Sequence, residues 1–194
     1  MALKIENLRK SFGDKVIFTS FSYEFPENGL FVLNGISGKG KTTLLRIIAG
    51  LDTDYEGAMT GGGIENTSFA FQEYRLFPTL SALENVVVPN GNIKDEKLKK
   101  QGAEFLSLLG FSIEEMKLKP ASLSGGMKQR VSIARALMRK KPILLLDEPS
   151  KELDDALRQI LYKIIYNEAN ERLVILVTHN KEELINDGIV YIDI

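Results

Sequence analysis

The stretch Gly35-Ile36-Ser37-Gly38-Lys39-Gly40-Lys41-Thr42-Thr43 limits the fold more than any other part of this 194-residue chain. It fills the pattern G-x-x-x-x-G-K-[ST] without a gap, behind the apolar run Leu30-Phe31-Val32-Leu33 and ahead of Leu44, Leu45, Ile47 and Ile48 at helical spacing. A strand, a glycine-rich loop and a helix in that order form a cradle for phosphates, because successive N–H groups turn inward and the helix adds its positive dipole end. Lys41 is placed to meet β- and γ-phosphates and the Thr42 hydroxyl to meet Mg²⁺, so ATP is the expected substrate. Ala49-Gly50 reads as the stop of that helix.

A second signal is Ile143-Leu144-Leu145-Leu146-Asp147-Glu148, where an apolar strand delivers two carboxylates at its carboxyl end, the edge at which open α/β sheets bind ligands. Asp147 is expected to hold Mg²⁺ through its water shell, and Glu148 to polarise the attacking water. Leu173-Val174-Ile175-Leu176-Val177 is a further uninterrupted apolar strand, of the kind buried on both faces of a parallel sheet. Alternation in Leu3–Leu8 and in Val16–Phe25 predicts an antiparallel flank, and Pro26-Glu27-Asn28-Gly29 turns the chain into the strand before the loop.

From Leu80 to about Leu118 the period becomes helical, with Leu98, Phe105, Leu108 and Leu109 predicted on one face. A helix through Val131, Ile133, Ala134, Ala136 and Leu137 follows, ended by Lys140-Lys141-Pro142, and a strand is expected over Ile189–Ile192. Gly61-Gly62-Gly63 reads as a local flexible turn. The fold class is therefore α/β.

Composition narrows the function classes. A net charge of −1 gives no global case for nucleic acid, and the Lys94–Lys100 run is broken by Asp95 and Glu96 and reads as a solvated helix face. With no cysteine there is neither a disulfide nor a thiolate metal site. No apolar stretch is long enough to span a bilayer and the start lacks a signal-peptide pattern, so the chain is expected in the cytoplasm.

Leu123-Ser124-Gly125-Gly126-Met127-Lys128-Gln129-Arg130 resembles the signature sequence of ATP-binding-cassette (ABC) ATPases. The resemblance runs over the whole chain: Phe12-Gly13 is similar to the aromatic adenine-stacking position, Phe71-Gln72-Glu73 to the Q-loop, Leu153-Asp154 to the D-loop and Thr178-His179 to the switch histidine. It implies a P-loop NTPase (RecA-like) fold with a mainly parallel core sheet, the antiparallel β flank and an inserted helical subdomain. On the sequence the core would take 1–75 and 131–194 and the helical signature subdomain 76–130.

The resemblance also implies roles. Phe12 would stack on adenine, Gln72 would reach Mg²⁺ or the lytic water, and His179, the sole histidine, would contact the γ-phosphate and orient Glu148 and water. Ser124, Gly125 and Gly126 would contact the γ-phosphate held by a second copy, and Asp154 would act from that copy too. A head-to-tail homodimer would thus sandwich two ATP molecules. Locally, a hydroxyl, two glycines and a helix start converge on an anion, although serine is also a favoured N-cap.

Three departures accompany the resemblance. Lys39 stands where relatives commonly have a small residue, the charged pair Lys151-Glu152 replaces a common small pair before Leu153-Asp154, and the chain is shorter than many transporter cassettes. The segment Phe71–Val86 resembles importer cassettes of the nitrate, sulfonate and taurine type. Implied partners are transmembrane permease subunits and a solute-binding protein, with the cassette held at the inner face of the cell membrane and no nucleic acid expected. An exporter or membrane-regulatory ATPase is the alternative, and a soluble ATPase acting on ribosomes or DNA is a more remote one, since no sustained heptads or basic tail occur.

Overall fold

The computed structural model describes residues 2–179, 184 and 188–194. In chain order the elements are β1 (Leu3–Phe12), β2 (Lys15–Phe25), β3 (Gly29–Asn34), α1 (Lys41–Ile48), β4 (Glu56–Thr60), β5 (Thr67–Ala70), α2 (Ala82–Val87), α3 (Glu96–Leu108), α4 (Gly125–Met138), β6 (Ile143–Asp147), α5 (Asp155–Glu171), β7 (Leu173–Val177) and β8 (Ile189–Asp193), with three short 3₁₀ turns after α2 and α3. The chain forms two compact units. The first comprises residues 1–69, 141–147 and 165–194, the second 70–140 and 148–164.

In the first unit a five-stranded sheet has the order β5-β6-β7-β3-β8, and a three-stranded antiparallel sheet has the order β2-β1-β4. Strands β6, β7, β3 and β8 run parallel, which requires crossovers and leaves both faces to be covered. That is why β6 and β7 are apolar without alternation and wholly buried. The inward residues of the antiparallel sheet, Leu3, Ile5, Leu8, Phe18 and Phe25, share one core with Leu44, Leu45, Ile47 and Ile48 of α1 and with Leu145 and Ile175. Phe25 and Phe31 meet edge to face at 5.3 Å.

The register sets the functional edge. Leu33 pairs with Val177, and Val177 pairs with Asp147, so the ends of β3, β7 and β6 lie level. The phosphate-loop residues leave from β3, His179 follows β7, and Asp147 closes β6 on that one edge.

In the second unit α2, α3 and α4 pack on one another. Ser81 and Glu84 form a reciprocal capping box at α2, and Asp95 caps α3 through Lys97 and Leu98 N–H groups. The fully buried Asn85 is satisfied by the chain entering α2, accepting from Phe77 N at 2.7 Å and donating to the Phe77, Leu80 and Ser81 carbonyls.

Two strands were not foreseen, and two expectations are revised. Strands β4 and β5 carry no apolar run: β4 is a mostly exposed edge whose pairing rests on backbone contacts to β1. On α3 the buried positions are Gly102 and Leu106, with Leu109 just beyond, whereas Leu108 is exposed, since it sits about 120° around the helix from Gly102 and about 160° from Leu106. The second compact unit holds all of α4, which buries Val131, Ile133, Ala134 and Leu137. Gly61-Gly62-Gly63 is tied down, with Gly63 N donating to Ile48 O at 2.8 Å.

Candidate functional site

In the first unit, the phosphate-loop residues bridge β3 and α1. Gly40 is the N-cap of α1 at φ +100°, and a Cβ there would collide with Ile17 Cγ2 and come within 3.0 Å of Phe18, so both backbone and space require glycine. At Gly38, φ +80° alone is the requirement, since the surroundings are open. The Lys41 side chain folds back across the loop, its ammonium donating to Gly35 O at 2.6 Å and Ile36 O at 3.0 Å. The cation expected to meet phosphates therefore shapes the loop. Ile36, Ser37, Lys39 and Thr42 are exposed, and Thr43 is half-buried.

Beside this loop is a cleft of about 510 Å³, lined by Phe12, Thr42, Thr43, Arg46, Asp52 and Asp54 among others. Phe12, 53% exposed at the end of β1, lines the cleft. Asp147 is buried at the last position of β6, and His179 is exposed two residues beyond β7. Among the described residues no group of three or more His, Cys, Asp or Glu could hold a metal ion. The Thr42 hydroxyl, the Gln72 side-chain carbonyl and the Asp147 carboxylate, expected at Mg²⁺, are hard oxygens of the type that ion takes alongside substrate phosphates.

The remaining predicted residues belong to the second unit. Glu148 has φ +49°, a left-handed backbone rare for a residue with a Cβ and costing roughly 1–2 kcal/mol. Its carbonyl accepts from the buried Gln129 side chain at 3.5 Å, and Lys151 Nζ lies 3.7 Å from its carboxylate. Gln72 is exposed in the segment after β5. Arg135 of α4 fastens that segment, donating to the Arg75 and Tyr74 carbonyls at 2.8 and 2.9 Å, while Arg75 lies 4.4 Å from the centroid of the Phe71 ring.

Ser124 is the N-cap of α4, accepting from Met127 N at 3.2 Å, and Asp154 caps α5, accepting from Leu157 N at 2.9 Å. Within the chain Glu152 lies close to both Gly125 and Gly126. Its carboxylate packs against Gly125, and its carbonyl oxygen would lie 2.7 Å from a Cβ at Gly126. The Tyr74 hydroxyl donates to the same carboxylate, and burial followed by this bond pushes the phenol up to about 12.

Two residues were missed in the sequence. Lys10 is buried, on the inward side of β1 with Leu8, and a lysine at that parity two positions before an aromatic was the available signal. Tyr74 had no signal at all, since its partner lies 78 residues away.

A β-strand, phosphate loop and helix on a parallel sheet, with an acidic residue closing a neighbouring strand, define a P-loop nucleotide-binding protein. The family model for ABC transporters matches residues 18–151. An aliphatic sulfonates import ATP-binding protein of Rhodococcus jostii is 40% identical over 190 residues, 95% of this chain and 75% of that protein. The dimeric structure of MJ0796, a bacterial ABC transporter cassette, matches with a TM-score of 0.87 at 30% identity, covering 98% of this chain and 94% of that one. The same cassette in a post-hydrolysis state bound to ADP and Pi matches with a TM-score of 0.85. This chain belongs to the ABC transporter family. It is an ATPase of that family, using ATP with Mg²⁺.

Proposed function

We propose that this chain is the ATP-hydrolysing subunit of a solute importer, taking small anions of the sulfonate class. The observation that carries the nucleotide chemistry is the sheet register, with the phosphate loop, Asp147 and the His179 segment leaving three adjacent strands at one level. Its kinship to a sulfonate import protein supports the direction and the solute class.

Phe12 takes the base, and the backbone of Gly35–Thr43 takes the phosphates, with the Lys41 ammonium passing from the Gly35 and Ile36 carbonyls to the phosphate oxygens. Thr42 and Asp147 would hold Mg²⁺, which would offset phosphate charge, and Gln72 would serve the same ion or the lytic water. Glu148 accepts the proton of the attacking water, oriented by His179. Ser124, Gly125, Gly126 and Asp154 act on the nucleotide of a second copy, so a lone chain hydrolyses poorly. ATP-driven pairing and its reversal then move a transmembrane permease, to which a solute-binding protein delivers its cargo. No helix among the described residues is long and apolar enough to cross a membrane. The cassette sits at the inner face of the cell membrane through that permease.

An affinity pull-down from native membranes with Glu148→Gln and ATP tests this reading. A retained permease with a solute receptor is expected; ribosomal proteins, or no membrane partner, overturn the importer assignment.

A further inference from the structure

Lys10 is one of the buried charges of the first unit. Its side chain is 2% exposed, two residues before Phe12 on β1, and an ammonium taken out of water is costly unless well paired. Nζ donates to Asp52 Oδ1 at 2.9 Å, to Asp54 Oδ2 at 3.2 Å and to the Asp54 carbonyl oxygen. It also lies 4.7 Å from the centroid of the Phe12 ring, within cation–π range. Burial works against the ammonium, yet the bonds from Asp52 and Asp54 outweigh it and hold its pKa above the ordinary lysine value. Phe12, Asp52 and Asp54 all line the cleft beside the phosphate loop, so one buried cation joins two of its walls.

Packing alone does not call for this arrangement. An apolar side chain of similar volume commonly fills such a position with equal or better stability. What only a cation supplies is a charge against one face of Phe12, with the ring half exposed to the cleft. An exposed phenylalanine loses side-chain freedom when a base stacks on it, and a ring already fixed loses less.

We propose that Lys10 is a positioning residue of the nucleotide site, covering one face of Phe12 and bracing Asp52 and Asp54 so that the opposite face is presented to the nucleobase. This rests on the ATP-binding reading given above. Lys10 itself touches no substrate. Its contribution belongs to the base alone, because the phosphates are held by the Gly35–Thr43 loop.

Calorimetric titration with Mg²⁺ and either ATP or inorganic triphosphate, in the Glu148→Gln background, separates the two parts of the ligand. Lys10→Met should weaken ATP about tenfold, a part of what one base stack contributes, and leave triphosphate within about twofold. In a Phe12→Ala background, Lys10→Met should add less than about a twofold loss, since the ring it acts through is gone. Unchanged ATP affinity in Lys10→Met, or an equal loss for both ligands, overturns the proposal. If Lys10→Met does not fold, Asp52→Asn is judged by the same ratio, with a selective loss of ATP expected and an unselective or absent one refuting. A parent protein that binds neither ligand instead refutes the nucleotide-site reading itself.

Discussion

Replacing Glu152 by Gln should make the unliganded chain less stable and its ATP-driven pairing tighter, two effects of opposite sign from one change of charge. The carboxylate packs against Gly125 at the start of α4, a helix with no acidic residue in its own first turn, and accepts from Tyr74. A carboxylate at a helix N-terminus contributes about 0.3–1 kcal/mol. Changing a charged acceptor for a neutral one at Tyr74 costs up to about 1 kcal/mol more. A total near 1–1.5 kcal/mol should lower the melting temperature by roughly 3–5 °C in a chain of this size. In the proposed pair the same turn faces the γ-phosphate of the partner's ATP. Unit charges about 5 Å apart repel by about 3 kcal/mol at an effective dielectric of about 20. Water around the exposed carboxylate reduces this to about 1.4 kcal/mol, a factor of about ten in association. Sedimentation velocity across an ATP titration, comparing Glu148→Gln with Glu148→Gln/Glu152→Gln, should show the doubly substituted chain pairing at about tenfold lower concentration. Pairing that is unchanged or weaker would show that Glu152 does not oppose the incoming phosphate, and the electrostatic reasoning would be wrong.

Glu148→Gln alone should keep ATP binding, lose at least about a hundredfold in turnover and accumulate the dimer, as read by steady-state ATPase and sedimentation; wild-type turnover would remove Glu148 as the base. Arg172→Met takes the guanidinium from the buried Glu168, which it meets at 2.7 Å, and should cost about 3–5 kcal/mol by denaturant unfolding. The double change Arg172→Met/Glu168→Leu should recover most of that loss. For Tyr74, a folded-state pKa raised from 10.0 to about 12 means that its stabilising contribution is complete below about pH 10 and lost as pH rises to 12. A tyrosinate difference titration against Tyr74→Phe should show this late phenol, and in Glu152→Gln its pKa should fall only in part, since burial, the larger cause of the rise, remains.

The parts legible in the sequence are those whose physics is local. The phosphate loop is contiguous, so its pattern, its preceding strand and its following helix stand together in the chain. Strands β3, β6 and β7 announce themselves because a strand covered on both faces has no polar alternation. The capping role of Ser124 was visible too, as one of two readings of the same serine, and the structure shows the cap. By contrast β4 pairs through its backbone at an exposed edge, so nothing in its side chains marked it. Leu108 was assigned to the wrong side of α3 because a run of apolar residues near a helix end fits more than one face.

By itself, then, the sequence determined the phosphate chemistry and the order of strand, loop and helix, because these depend on neighbours within a few residues. Tertiary structure alone decided that Asp147, Val177 and Leu33 stand at one level, that Lys10 is buried beneath Phe12, and that Glu152 lies against the glycines of α4. The contacts that fix those outcomes join segments 26 to 144 positions apart. Pairings at that range are selected by the packing of a whole core, and leave no periodicity in either of the segments they bring together.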